Sequence, residues 1–233
     1  MKILVSRRSV TTTLTVSCII VILLNLLISY LYFGGFLQAE WGLKLFKKFY
    51  VDLEQNIPSF YNTMLLLISS LLLLYIFILK KNLLKNYHPW LTLFLVFSFL
   101  SIDENTSVHE AFITILPKYF GVGGDGYLTF AWVIPYGGFV ILFVIYFFNF
   151  LLTLNKKIAL GFVVSGFVYV LGAIGFEMLG AKFVSMQGVE NFTYALFATI
   201  EETLEMSGII LFINFLLAYI EIEFNAVEVR VNA

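Results

Sequence analysis

The chain has 233 residues, of which 61% are hydrophobic and 12% charged, and its mean hydropathy is +0.95. A soluble domain averages roughly 45–50% apolar and about 25% charged, so the composition excludes a soluble globular domain and specifies an integral membrane protein whose first partner is the lipid bilayer. The net charge is −1 and the only cysteine is Cys18, which leaves no disulfide framework and no Cys-based metal site; nucleic acid is not an expected partner.

The apolar segments run roughly 20 residues each, the length of a spanning helix and not the short alternating pattern of a barrel strand. The predicted fold is all-α, a polytopic helical bundle forming one membrane-embedded domain over 1–233. It has about six transmembrane helices, at 14–33, 60–79, 89–116, 128–152, 158–179 and 192–220, and one interfacial amphipathic helix at 40–55. The first run exceeds the 7–15 residues of a secretory h-region and lacks a small-residue cleavage site, so it reads as an uncleaved span. In 40–55, Gly42, Phe46, Phe49, Tyr50 and Leu53 recur at helical spacing, while Lys44, Lys47, Lys48, Asp52 and Glu54 take the other faces; with Trp41 this reads as a helix lying on the membrane surface.

Pro89 and Pro117 bound the third span, so 101–111 is expected to be the outer half of one continuous helix. The loop Gly121–Gly126 has no P-loop ending and reads as a flexible hairpin. Pro135 with Gly137 and Gly138 predicts a kink in the fourth span. In the fifth, Gly166, Ala173 and Gly180 recur every seven residues as a stripe for close helix contact, and Glu177 on that stripe is expected to face protein. The sixth runs into an acidic tail with Glu221, Glu223 and Glu228.

With six spans both termini lie on one side. That side carries nine of the 14 basic residues, which by the positive-inside rule makes it the cytoplasmic side of the cell membrane. The opposite side then collects 12 of the 15 acidic residues, a funnel for cations. At about 1.5 Å per residue, Asp103 lies roughly 21 Å along its helix from Pro89, and Glu177 and Glu201 to Glu205 fall at a matching depth. Ionisable groups at membrane depth are costly and mark functional sites.

On a continuous helix Asp103, Thr106, Ser107 and Glu110 share one face, His109 points elsewhere and Glu104 lies on the opposite flank. Glu201 and Glu205 are i,i+4 neighbours, with Glu202 three from Glu205. Like charges so close need protons, a cation or water. The candidate metal ligands are therefore Asp103, His109, Glu110, Glu177, Glu201 and Glu205, supported by Glu104, Thr106, Ser107 and Glu202; no catalytic residue is assigned. Oxygen donors with one imidazole suit a divalent ion, Mn, Fe, Ca or Mg ahead of Zn. There is no Glu-x-x-His repeat of the di-iron bundle kind. Three functions fit: a metal-dependent membrane enzyme acting on a lipid-like substrate, a cation or proton-coupled transporter with an ion as substrate, and a non-catalytic subunit or assembly factor. Enzyme against transporter is left open, as is a homo-oligomer.

Overall fold

Long runs of Leu, Ile, Val and Phe leave the backbone amides no partner but their own helix, and in an apolar medium that makes helix the default. The structure is a computed structural model describing residues 2–3, 6–224 and 229–230. It is helical almost throughout: α1 (Arg7–Phe33), α2 (Glu40–Phe49), α3 (Ile57–Asn82), α4 (His88–Thr106), α5 (Ala111–Phe120), α6 (Val133–Thr153), α7 (Lys156–Gln187) and α8 (Phe192–Phe224). Five of these are long and apolar enough to cross a membrane, and α4 with α5 makes a sixth if that bent pair is one span. A two-residue antiparallel ladder joins Lys2–Ile3 to Val229–Arg230.

Four sequence expectations are corrected. The surface helix stops at Phe49 and not at 55. Asn56 caps α3, accepting the Ser59 N–H at 3.1 Å with Pro58 in the first turn, so the preceding residues must form a connection and cannot continue the helix. The third span is not one helix, because α4 and α5 are bent by 73° at a break of four residues. Pro135 lies in the first turn of α6, where it costs no hydrogen bond, so it starts the helix and does not kink it. In the expected stripe of α7 only part is packed: Ala173 is buried, while a Cβ on Gly166 would meet nothing within 4 Å. Glu228 lies outside the described residues.

The close approaches occur at other glycines. A Cβ on Gly208 of α8 would lie 2.7 Å from the Tyr169 amide and 2.9 Å from the Ser165 carbonyl of α7, and one on Gly172 would lie 2.7 Å from the Glu201 carbonyl. In α7, Leu171–Phe176 is wound as a wider π turn, which sets Glu177 toward the bundle interior. Helices α3 and α4 are tied by small hydroxyls, Ser70 to Ser98 at 2.7 Å and Ser101 to the Thr63 carbonyl at 3.1 Å.

The bundle has two chemically distinct ends. At one, Glu221 and Glu223 of α8 meet Arg7 at 3.6 Å, Lys80 at 2.6 Å and Lys85 at 3.1 Å. Above it an aromatic layer, with Trp90 against Tyr219 at 4.5 Å and Phe97 stacked on Phe212 at 4.7 Å, fills the core. The other end collects carboxylates. Because Gly208 meets backbone and not a movable side chain, Gly208→Ala is expected to lower thermal stability in detergent by about 1–3 kcal/mol, while Gly138→Ala, with open space around it, leaves the melting temperature unchanged.

Candidate functional site

Two irregular segments build the site. The first is the connection between α2 and α3. Its Val51 amide donates to the Asn25 side-chain oxygen at 3.2 Å, and the Asn25 amide donates to Thr199 at 2.8 Å. Asn56 donates to the Tyr50 carbonyl at 2.6 Å, and Gln55 takes a positive φ of 58°. These contacts draw the chain inward, so Asp52 and Glu54 line the bundle cavity, with the Tyr194 hydroxyl donating to Asp52 at 2.6 Å.

The second segment is the break after α4. Ser107 sits in the left-handed region at φ 53°, and the Asp103 side chain accepts the His109 amide at 2.9 Å. A short polar side chain has taken a backbone donor that a continuous helix would have used, which is how Asp, Asn and Ser unwind helix ends. Tyr136 donates its hydroxyl to the other Asp103 oxygen at 2.6 Å, and His109 Nδ1 lies 3.4 Å from that same oxygen. The imidazole is flanked edge-on by Trp132, with ring centres 4.9 Å apart.

Both segments face a cavity of about 650 Å³. Asp103, Glu104, His109, Glu110, Glu177, Glu201, Glu202 and Glu205 all line it, from α4, the break, α7 and α8. Thr106 and Ser107 do not: the Thr106 hydroxyl turns back to the Ile102 carbonyl at 2.7 Å, and Ser107 is the residue at which the helix ends. The expected four-oxygen face is thus absent, because it required the helix to continue to Glu110. Glu104, expected on the opposite flank, instead accepts from Asn62 at 3.1 Å inside the chamber. Glu177 is buried and receives the Trp132 indole N–H at 2.7 Å.

The sequence reading missed Asp52, Glu54, Asn62, Trp132, Tyr136 and Tyr194. For the first two a signal existed: Asn56 followed by Pro58 is an N-terminal helix signature, and it rules out a helix running to 55. The remaining four carry nothing at sequence level beyond their residue type.

Glu54, His109 and Glu110 converge most tightly, with one ligand atom from each within 4.8 Å of the others. In all, nine carboxylates and one imidazole face the cavity, and among the described residues no Lys or Arg forms an ion pair with any of them. Buried oxygens of Glu54 and Glu202 have no hydrogen-bond partner, and neither has the carbonyl oxygen of Asn62, a residue 0% exposed. Acceptors left bare in this way are costly unless a cation, a proton or water meets them. Donor set and bare oxygens both fit a hard or borderline divalent ion.

In the connecting loop, loss of bulk water pushes the Glu54 carboxyl up to about 8, reinforced by Glu104. It likewise pushes Asp52, whose open surface faces the chamber, up to about 7. Both groups therefore bind more protons folded than unfolded between the ordinary carboxylate range and about 8. Stability of the ion-free protein is greatest below that window and falls as pH rises through it. Melting temperatures in chelator should show this decline from about pH 4 to pH 8; a divalent ion held by the deprotonated carboxylates would reverse the slope.

Neither the curated proteins nor the solved structures contain a match to this chain. Residues 13–220 match the family described as a domain of unknown function, DUF8692, and with nearly the whole helical bundle inside that match the chain belongs to this family.

Proposed function

We propose that this is a multi-pass protein of the cell membrane, with both termini cytoplasmic, that holds a divalent cation at Glu54, His109 and Glu110 and uses it as a membrane enzyme on a lipid-like substrate. The observation that carries the reading is the chamber itself, nine carboxylates around one cavity with, among the described residues, one imidazole and no Lys or Arg paired to them. Mn, Fe, Ca or Mg suits this donor set ahead of Zn.

A bound cation would polarise a substrate oxygen or acidify a water. The residues around it have separable parts. Asp103, both of whose oxygens have donors, holds the His109 ring through Nδ1 and leaves Nε2 for the ion, the usual carboxylate–histidine arrangement at metal sites. Trp132 fixes the Glu177 carboxylate. Glu201 and Glu202, with Glu205 one turn further along α8, line the same cavity and would serve as proton acceptors.

Transport is disfavoured by what lies beyond Glu205. There the cavity wall changes to Phe97, Phe162 and Phe212, with Phe212 stacked on Phe97 and tilted against Phe162 at ring-centre distances of 4.7 and 4.9 Å. A cation path needs polar groups continuing toward the second face, and the hydroxyl at this level, Ser165, is spent on the Gly161 carbonyl of its own helix at 2.7 Å.

The test is metal content and affinity of the purified chain. Wild type should bind Mn²⁺ stoichiometrically. Glu54→Gln, Glu110→Gln and His109→Ala should each weaken it by about 100-fold, and Asp103→Asn, acting through His109, by about tenfold. A wild type that binds no divalent ion, or unchanged affinity in the three ligand variants, overturns the site; ion flux through vesicles holding the pure protein overturns the enzyme reading.

A further inference from the structure

The same cavity has a second half that the metal reading does not use. From Asp103 toward the basic end, α4 contributes Leu93, Val96, Phe97 and Leu100, and α6 and α7 face them with Phe143, Val163 and other apolar side chains. The wall from Asp103 to Leu93 is ten residues of one helix, about 15 Å. Phe139, Val144, Val163 and Phe167 line this stretch yet are between 44% and 65% exposed. Protein interiors seldom leave unfilled space much larger than a water, and here the walls do not meet.

The reason they do not meet lies in α6 and α7. Helix α6 is held at both ends, by Trp132, Val133 and Tyr136 against Ala173 near the acids and by Phe147 and Phe150 in the aromatic layer. Between those anchors it stands off. On the facing wall Gly166 has open space where a side chain would be. Apart from Ser165, whose hydroxyl is spent on the Gly161 carbonyl at 2.7 Å, the groove is apolar along its length and acidic only at its end, so it matches a molecule that is hydrocarbon at one end and polar at the other. Water in such a groove would lack partners.

The acidic end restricts the polar group. Nine carboxylates stand there and, among the described residues, no Lys or Arg pairs with them. One divalent ion at Glu54, His109 and Glu110 would balance only a minority of that charge. Recognition of phosphate or carboxylate uses Arg forks, Lys or helix N-termini. An anionic head would meet repulsion; a hydroxyl or an ammonium would find acceptors.

Resting on the metal-site reading, we infer that the substrate is a long-chain amphiphile whose single hydrocarbon tail lies in the groove between α4, α6 and α7, and whose hydroxyl or amino head group, without negative charge, reaches the acidic chamber.

The experiment measures equilibrium binding of radiolabelled hexadecylamine, hexadecanol and palmitate to the full chain in nanodiscs, with Mn²⁺ affinity read on the same samples. Wild type should show a saturable site for the amine and the alcohol, with palmitate at least about tenfold weaker. Gly166→Leu and Val140→Phe fill the groove and should each cost about tenfold, the loss of roughly two buried methylenes, at unchanged Mn²⁺ affinity. Gly138→Leu, whose glycine does not line the cavity, should bind as wild type. Palmitate binding as tightly as the amine, or full binding in both filled variants, overturns the proposal. Normal Mn²⁺ with no saturable amine or alcohol site overturns it alone, whereas a saturable amine site in protein that binds no Mn²⁺ supports the groove and overturns the metal site.

Discussion

Everything at the acidic end of this protein follows from one imbalance, nine carboxylates gathered around a single imidazole where, among the described residues, no Lys or Arg pairs with them. Placing a charged group in an apolar bundle is unfavourable unless it is paired, hydrogen-bonded or neutralised. Here hydrogen bonds meet part of the demand. Tyr136 and the His109 amide serve Asp103, Trp132 serves Glu177, Tyr194 serves Asp52 and Asn62 serves Glu104. Each is a neutral donor, so each lowers the cost without removing the charge. What is left over is electrostatic, and it is what makes a cation the natural complement of the site.

The same imbalance explains why irregular backbone appears where it does. A continuous helix carries its acids outward at fixed angles, and six such helices could present few carboxylates to a common point. The break at Ser107 and the loop from Val51 to Asn56 free side chains from those angles. They let Glu54 of the loop approach His109 and Glu110 of the break, with one ligand atom from each within 4.8 Å of the others. Irregular backbone inside a bundle needs partners for its amides and carbonyls: buried Asn25 accepts the Val51 amide and half-buried Asn56 donates to the Tyr50 carbonyl. The polar side chains of α1 and α3 are thus part of the site at one remove.

Within one cavity the chemistry changes from carboxylate to hydrocarbon over a few helical turns. The change is set by the side chains that α4, α6 and α7 turn to the cavity, which are apolar but for Ser165 and Tyr169 until they reach Asp103, Tyr136 and Glu177. A purely ionic path would need the polar lining to continue. A purely structural core would need the walls to touch.

Much of this was legible in the residues alone. Apolar runs of about 20 residues require helices, and carboxylates inside those runs require a site, whatever the tertiary arrangement. Asp103, His109, Glu110, Glu177, Glu201 and Glu205 were identifiable on that ground, and all of them line the cavity. Which of them converge was not identifiable, because periodicity assigns faces only while a helix continues. Thr106 and Ser107 were lost to the site when the helix ended between Asp103 and Glu110, and Glu104 was gained. Asp52 and Glu54 looked like the wet side of a surface helix, since their role depends on Asn25, a residue 26 positions before Val51. Contacts at such separations are decided by packing, and so the helices, their polar stretches and their charge asymmetry belong to the sequence, while the partnership of Glu54 with His109 belongs to the tertiary structure.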